Sequence, residues 1–137
     1  MPQLSNDPVA ALKPALHPVY ARLLCAELQR RGFSPIEILD HVPLDWQQLH
    51  ESNQFLSFDQ MRQLIERGLQ LSQCPWLGLE VGLRTPASAH GTLGSAMIAS
   101  KNLPSAMLLL QRYAGLRQTL ANLRFEHEPE FAAVLEE

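Results

Sequence analysis

The residues best suited to ligand chemistry lie in the second half of the sequence. Tyr113 and Arg117 are four positions apart, so on a helix they share one face. Their hydroxyl and guanidinium groups could hold an acidic ligand, because guanidinium binds carboxylate through charge-assisted hydrogen bonds. His90 stands beside a glycine at a helix start, where its ring could hydrogen-bond a carboxylate. Trp76 could line a pocket for an apolar or aromatic ligand.

Each of these four assignments has a structural alternative. Trp76 also fits a core anchor, since tryptophan is mostly used for its large apolar area. His90 also fits a solvated loop histidine, and Tyr113 with Arg117 also fits a surface pair beside a sheet. The predicted ligand site therefore consists of Trp76, His90, Tyr113 and Arg117, with both interpretations open at each position.

The chain carries no pattern typical of catalysis or metal binding. Its five histidines include no His-Glu-x-x-His and no pair spaced by four, which zinc sites on helices use. Residues 94–96 (GSA) fall in a predicted helix, not in the strand-to-helix elbow of a hydrolase. Residues 91–94 (GTLG) are not followed by the Gly-Lys-Ser/Thr of a phosphate loop. We therefore expect no enzyme activity, no metal and no cofactor.

Composition points to an ordinary globular protein. Of 137 residues, 46% are apolar and 18% charged, and the formal net charge is −3, whereas a domain that grips DNA by itself is usually basic. No apolar run of about 18 residues could span a bilayer, and no signal peptide begins the chain. Cys25 and Cys74 form no Cys-x-x-Cys pair, and Cys25 fits a small buried apolar residue. We expect a cytoplasmic protein with reduced thiols that does not contact membranes.

Helical signals fill the first half of the chain. Leucines spaced from Leu16 to Leu28 predict a helix that starts near Pro18, keeps Glu27 on its outer side and ends at Gly32. Capping boxes at Ser34 and Ser57 predict two further helix starts.

The helix after Ser57 should run to about residue 71 and bury one apolar stripe, formed by Phe58, Met61, Leu64, Ile65 and Leu69. A shorter helix follows at 76–83. Its glycines, Gly78 and Gly82, indicate close packing of another backbone, since glycine otherwise costs helix stability.

The second half changes character near its end. Residues 91–100 predict a helix, and Asn102 caps a longer one to about Leu120. The inner stripe of that helix should comprise Leu103, Met107, Leu110, Ala114 and Leu120, while its leucines at 108–110 could meet a partner subunit or another domain. Alternation over 123–135 with a turn at 128–130 predicts a β-hairpin.

The predicted fold is α+β and predominantly α-helical, with about five to six helices followed by a C-terminal β-hairpin. Residues 1–14 should be a loosely ordered leader, and 15–137 one helical domain. Because an isolated hairpin is marginal, its strands should either lie on the helices or belong to a sheet that continues in a longer protein, which we favour.

The ordered series of short motifs resembles one family. It comprises residues 28–32 (LQRRG), 36–39 (IEIL), 77–84 (LGLEVGLR), 90–97 (HGTLGSAM) and 102–107 (NLPSAM). Over residues 16–135 the chain resembles the N-terminal region of the AraC/XylS family, in the arabinose-binding-like branch that includes ornithine-type regulators.

The resemblance implies a sensor for a small-molecule effector that acts as a homodimer, and it does not identify the effector. The candidate site residues are compatible with an amino acid or another carboxylate. It also implies a C-terminal DNA-binding domain with two helix-turn-helix motifs, and nothing in these 137 residues matches such a reader. DNA would then be contacted only through that domain. The alternative is a structural protein–protein interaction module without a small-molecule ligand, which would have a solid core and an apolar outer patch.

Overall fold

The computed structural model describes residues 13–127 and 132–136, and these fall into two compact units that meet at the Thr85–Pro86 bond. In chain order the first unit contains β1 (Pro14–Leu16), α1 (Val19–Arg30), α2 (Pro35–Ile38), α3 (Trp46–Glu51), β2 (Leu56–Ser57), α4 (Phe58–Ser72) and α5 (Leu77–Arg84). The second contains a 3₁₀ helix (Ala87–His90), α6 (Thr92–Ile98), α7 (Leu103–Tyr113), a second 3₁₀ helix (Ala114–Leu116), β3 (Leu123–His127) and β4 (Ala132–Glu136). The described chain is thus α+β and mainly helical, as predicted.

Local capping chemistry sets the helix starts in the first unit. Ser34 and Ser57 each accept the backbone N–H three residues later, while Glu37 and Gln60 return the bond, so both predicted capping boxes are present. Gly32 takes a φ of +98° after α1, as expected for a glycine that ends a helix.

The core of the first unit lies between α1, α2, α4 and α5. Its most buried side chains are Cys25, Leu28, Ile38, Leu64 and Leu77. Burial raises the pKa of the Cys25 thiol to about 12, so Cys25 stays a neutral, unreactive thiol, as its position on the apolar side of α1 predicts.

One prediction about the start of α1 and one about the buried stripe of α4 are wrong. Leu16 belongs to β1, which pairs with β2 in an antiparallel sheet, because the chain turns at Pro18 before α1 begins. Ile65 and Leu69, expected in the buried stripe of α4, are 42% and 38% exposed, since they line an open groove.

The glycines of α5 have open space around them. Apart from the adjoining residues and the backbone of α5 itself, no atom of the described residues comes within 4 Å of a Cβ built on Gly78 or Gly82. The close backbone neighbour that this spacing predicts is therefore not found among residues 13–127 and 132–136. Close approach occurs instead at Gly94, where a Cβ would run into the carbonyl oxygen of Ala87.

The second unit is built around α6, α7 and the hairpin. Asn102 caps α7 as predicted, with its Oδ1 accepting the backbone N–H of Ser105 at 2.9 Å. The prediction that α7 reaches Leu120 is wrong, because the helix ends at Tyr113 and tightens into the second 3₁₀ helix. Two residues of its expected inner stripe, Leu103 and Leu120, are exposed.

The predicted hairpin is present. β3 and β4 pair antiparallel, with Leu123 opposite Glu136 and His127 opposite Ala132; the predicted turn at 128–130 lies outside the described residues. The strands lean on a helix, since Gln111 Oε1 of α7 accepts the Phe125 backbone N–H at 2.6 Å. The predicted leader also lies outside the described residues, apart from its last two, and Pro14 there begins β1.

Candidate functional site

The structure brings together two of the four predicted ligand residues, His90 and Arg117. Arg117 follows the second 3₁₀ helix, and its Nη2 donates to the carbonyl oxygen of Ala89 at 2.8 Å. The guanidinium also lies over Gly91, because a Cβ built there would be 3.4 Å from Arg117 Nη1. The residue between Ala89 and Gly91 is His90, so the guanidinium spans the backbone on both sides of it. We call Arg117 together with residues 89–91 the guanidinium site.

Arg117 has an unsatisfied donor. Its Nε is buried and has no hydrogen-bond partner among the described residues. Buried donors without partners are uncommon and cost about 1 to 3 kcal/mol each. A carboxylate is the group that best satisfies such a fork of guanidinium donors, since it can accept two parallel bonds.

The backbone that carries His90 is shaped by its neighbours. Gly91 has a φ of +64° and a ψ of −141°, a conformation that L side chains rarely adopt. Gly94 allows α6 to approach the preceding 3₁₀ helix at Ala87 more closely than any side chain would permit. Both glycines therefore fix where the His90 ring and the Ala89 carbonyl meet Arg117.

The His90 imidazole is electrostatically coupled to the same site. Burial is the larger cause that lowers its pKa, and the positive charge of Arg117 lowers it further. A neutral ring is favoured in the folded protein at neutral pH. An anion placed between the ring and the guanidinium would reverse the second effect and favour protonation of His90.

The other two predicted ligand residues, Tyr113 and Trp76, are both exposed. Tyr113 is the last residue of α7 and is 40% exposed, with the Arg112 guanidinium 5.4 Å from its ring centroid. Since α7 ends there, Tyr113 and Arg117 do not share one face of a continuous helix. Trp76 belongs to the first unit, precedes α5 and is 60% exposed, so it is not a core anchor. Ligand contact by either residue stays a prediction.

A second arginine cluster, around Glu27, was not foreseen from the sequence. Glu27 was expected on the outer side of α1, yet its side chain is only 2% exposed. Arg30 binds both carboxylate oxygens at 2.7 and 3.0 Å, Arg31 adds a bond of 2.9 Å and Arg84 a contact of 3.1 Å. The hydrogen bonds from Arg30 are the largest cause that lowers the pKa of Glu27 to about 2, against the opposing effect of burial. Helical periodicity assigns a glutamate to solvent, whereas the three arginines that bind the Glu27 carboxylate allow it to be buried.

An apolar groove of about 210 Å³ opens between α1, α4 and α5. Its lining includes Tyr20, Leu24, Ile65, Leu69, Gly78 and Val81. Helical periodicity predicted that Ile65 and Leu69 lie in the core, because it does not distinguish an apolar groove from an apolar interior.

The described part of the chain shows neither a metal site nor a membrane-spanning helix. In residues 13–127 and 132–136, no three His, Cys, Asp or Glu side chains are grouped so that they could hold a metal ion. No helix in that part of the chain has the length and apolar character that a membrane crossing requires.

The chain is similar to a known family of regulator domains and to a named bacterial regulator. Residues 32–137 match the family described as the N-terminal arabinose-binding domain of AraC transcription regulators. The chain is also 34% identical over 94 residues to the ornithine utilization regulator of Pseudomonas aeruginosa. That alignment covers 69% of this chain and 28% of the regulator, so the chain spans little more than a quarter of its relative's length.

Proposed function

Because this chain belongs to the family of N-terminal arabinose-binding domains of AraC transcription regulators, we propose that it is an effector-sensing domain of such a regulator. In this proposal the domain acts in the cytoplasm as a homodimer and controls a C-terminal DNA-binding domain. It has no catalytic task. An effector that binds one arrangement of the domain better than another shifts the balance between them by that difference in affinity.

The observation that carries a ligand class is the buried, unpaired Nε of Arg117. We infer that the effector presents a carboxylate to the guanidinium site. The ligand-free arrangement bears the cost of an unsatisfied donor, about 1 to 3 kcal/mol. An arrangement in which a carboxylate reaches Nε recovers that free energy.

The free-energy cost of the unsatisfied Arg117 donor is of the size that suits a regulatory switch. A difference of 1 to 3 kcal/mol between two arrangements corresponds to a coupling of about 5- to 150-fold. Because Nε is closed off by the surrounding residues, the carboxylate reaches it only when the 3₁₀ helix with His90 moves away. Effector binding would thus be tied to movement of Ala87–His90.

A matched pair of small molecules tests the ligand class. Ornithine is the first compound to test, given the name of the Pseudomonas relative, and putrescine is the same diamine without the carboxylate. We expect a panel of amino acids and other small carboxylates to contain a compound that raises the melting temperature. Its decarboxylated analogue should not do so. A ligand at 100 times its Kd adds about 2.7 kcal/mol, which shifts Tm by several degrees in a domain of this size.

Two variants assign the binding to the guanidinium site. Arg117→Ala should abolish the stabilisation, whereas Arg112→Ala, which removes an exposed guanidinium from the same segment, should leave it intact. The ligand class is wrong if no carboxylate shifts Tm, or if Arg117→Ala responds as the wild type does.

A further inference from the structure

The two units differ in how much large apolar surface they bury. The first unit buries large side chains from four helices, among them Leu28, Ile38, Leu64 and Leu77. Side-chain burial in the second unit is described for residues 86–126, and the buried apolar residues there are Ala89, Leu93, Ala106 and Ala114. Three of these four are alanines, which remove little apolar area from water. The hydrophobic stabilisation of the second unit is correspondingly small.

Large apolar residues of the second unit lie at its surface instead. They occur in α6, in α7 and in the segment after α7, and comprise Ile98, Leu103, Leu108, Tyr113, Leu116 and Leu120. An exposed leucine adds little to the free energy of folding, because it contacts water in the folded and the unfolded chain alike. Units of this length are stable only when they bury most of their large apolar side chains.

Other features of the second unit add cost rather than stability. The buried Nε of Arg117 has no partner among the described residues, and such a donor is unfavourable. Gly91 takes a positive φ, and a glycine loses more conformational freedom on folding than any other residue. Among the described residues β3 pairs only with β4, and a two-stranded hairpin is marginally stable by itself. The second unit is therefore the less stable part of the chain.

We propose that the second unit is an order–disorder switch. Without effector it opens while the first unit stays folded, and a carboxylate bound at the guanidinium site orders it. This inference rests on the proposed function, because it takes the effector and its site from there. The guanidinium site lies entirely in the second unit, since it consists of Arg117 and residues 89–91. A ligand that binds only the folded unit shifts the balance towards that form by mass action.

Opening of the second unit also gives the carboxylate a route to its partner. In the folded unit the Nε of Arg117 is buried, and its Nη2 donates to the carbonyl oxygen of Ala89. Arg117 and Ala89 belong to the same unit, so opening releases their bond and exposes the guanidinium. Movement of Ala87–His90 is then one part of a larger opening. The second unit is the C-terminal part of this chain, so its ordering acts directly on the DNA-binding domain that the proposed function places after it.

Hydrogen exchange of the native chain, measured by mass spectrometry on peptides from each unit, reports the opening of each unit separately. We expect the amides of α6 and α7 to be protected about 100-fold less than those of α1 and α4. Ornithine is the first probe, followed by the other carboxylates of the panel, with putrescine as the control that lacks a carboxylate. A carboxylate at 100 times its Kd should raise the protection of the second unit about 100-fold and leave that of the first unchanged.

Two matched variants test whether the units open separately. Ala26 in α1 and Ala96 in α6 are both exposed and lie within helices. Glycine at either position weakens its own helix by the same amount, which changes an unfolding equilibrium about fivefold. Ala96→Gly should lower protection in the second unit only, and Ala26→Gly in the first unit only. Neither variant removes a buried side chain, so both should fold.

Equal protection of the two units, or a loss of protection in both units with either variant, shows one cooperative unfolding reaction and overturns the proposal. A carboxylate that raises the protection of both units equally overturns it as well. The proposed function fails in a different way. A carboxylate response in a chain that unfolds as one body refutes the switch and retains the ligand class. Separate opening of the second unit without a response to any carboxylate refutes the ligand class, and with it the part that the switch assigns to the effector.

Discussion

The arginines around Glu27 and the arginine beside His90 differ in what their guanidinium groups contact. Arg30, Arg31 and Arg84 all meet one buried carboxylate. Arg117 meets a backbone carbonyl and leaves a buried Nε without a partner among the described residues. The same residue type therefore completes an ionic cluster in the first unit and remains incomplete in the second.

The difference separates a structural charge from a charge available to a ligand. A buried carboxylate that three cations neutralise stabilises the fold only as long as all partners remain, because an unpaired buried charge is costly. A guanidinium with an unsatisfied donor costs stability in the ligand-free protein and recovers it with an anion. Functional sites commonly carry such a cost.

Removal of the Glu27 carboxylate should give the largest loss of stability. We expect Glu27→Ala to lower the free energy of unfolding by about 2 to 3 kcal/mol. The loss stays below the 3 to 5 kcal/mol of a fully buried pair, because Arg30 and Arg84 are half exposed and can turn to water. Urea denaturation measures the change, and Glu66→Ala, at an exposed pair with Arg62, should change little.

Acid titration examines the same cluster. The folded-state pKa of Glu27 is about 2, below its ordinary value of 4.5, so its stabilisation is fully present above pH 4.5. It is lost as the pH falls from there towards 2. Glu27→Gln should flatten the stability profile in this window. An unchanged acid profile in that variant would show that the cluster does not contribute.

Substitution of Gly94 should come next in magnitude. A Cβ at this position runs into the backbone of Ala87, and overpacking of this kind costs about 1 to 3 kcal/mol. Because the displaced 3₁₀ helix carries His90, Gly94→Ala should also weaken carboxylate binding. Gly115→Ala, where no atom lies within 4 Å of the new Cβ, is the matched control. Equal melting temperatures for the two variants would contradict the close approach.

Sequence patterns predicted the elements of this fold better than its surfaces. Capping boxes at Ser34 and Ser57 and the cap at Asn102 involve only neighbouring residues, so the sequence suffices to identify them. The β1–β2 pairing joins residues some forty positions apart, and no local signal marks a three-residue strand. The family resemblance is confirmed, because ordered motifs over most of the chain are a specific pattern.

The candidate site was predictable in residue type but not in geometry. His90 beside a glycine, and Arg117 four residues after Tyr113, suggested carboxylate chemistry, and the structure places Arg117 against the backbone carbonyl that precedes His90. The orphaned Nε depends on how two 3₁₀ helices pack, which no periodicity encodes. For the same reason Glu27 was assigned to solvent, since its partner Arg84 lies 57 positions away along the chain.

Removal of the Arg117 guanidinium should cost far less stability than removal of the Glu27 carboxylate. Arg117→Met loses one hydrogen bond to Ala89 but also removes an unsatisfied buried donor. The two effects oppose each other, so we expect unfolding free energy to change by about 1 kcal/mol or less, while carboxylate binding is lost. Thermal unfolding with and without a carboxylate measures both. A loss as large as that of Glu27→Ala would mean that Arg117 is chiefly structural.

The smallest expected effect concerns the protonation of His90. Burial and Arg117 lower its folded-state pKa below the ordinary value of 6.5, so the unfolded chain takes up the proton first as the pH falls. Stability should therefore be complete above pH 6.5 and decline below it, and His90→Asn should remove that slope. His41→Asn is the control, because His41 is highly exposed and its φ of 59° suits asparagine.

A carboxylate at the guanidinium site favours the protonated His90 ring. The affinity for the carboxylate should therefore rise as the pH falls through the same range, and calorimetry at two pH values detects the change. Binding that weakens towards acid pH would place the carboxylate away from the His90 ring.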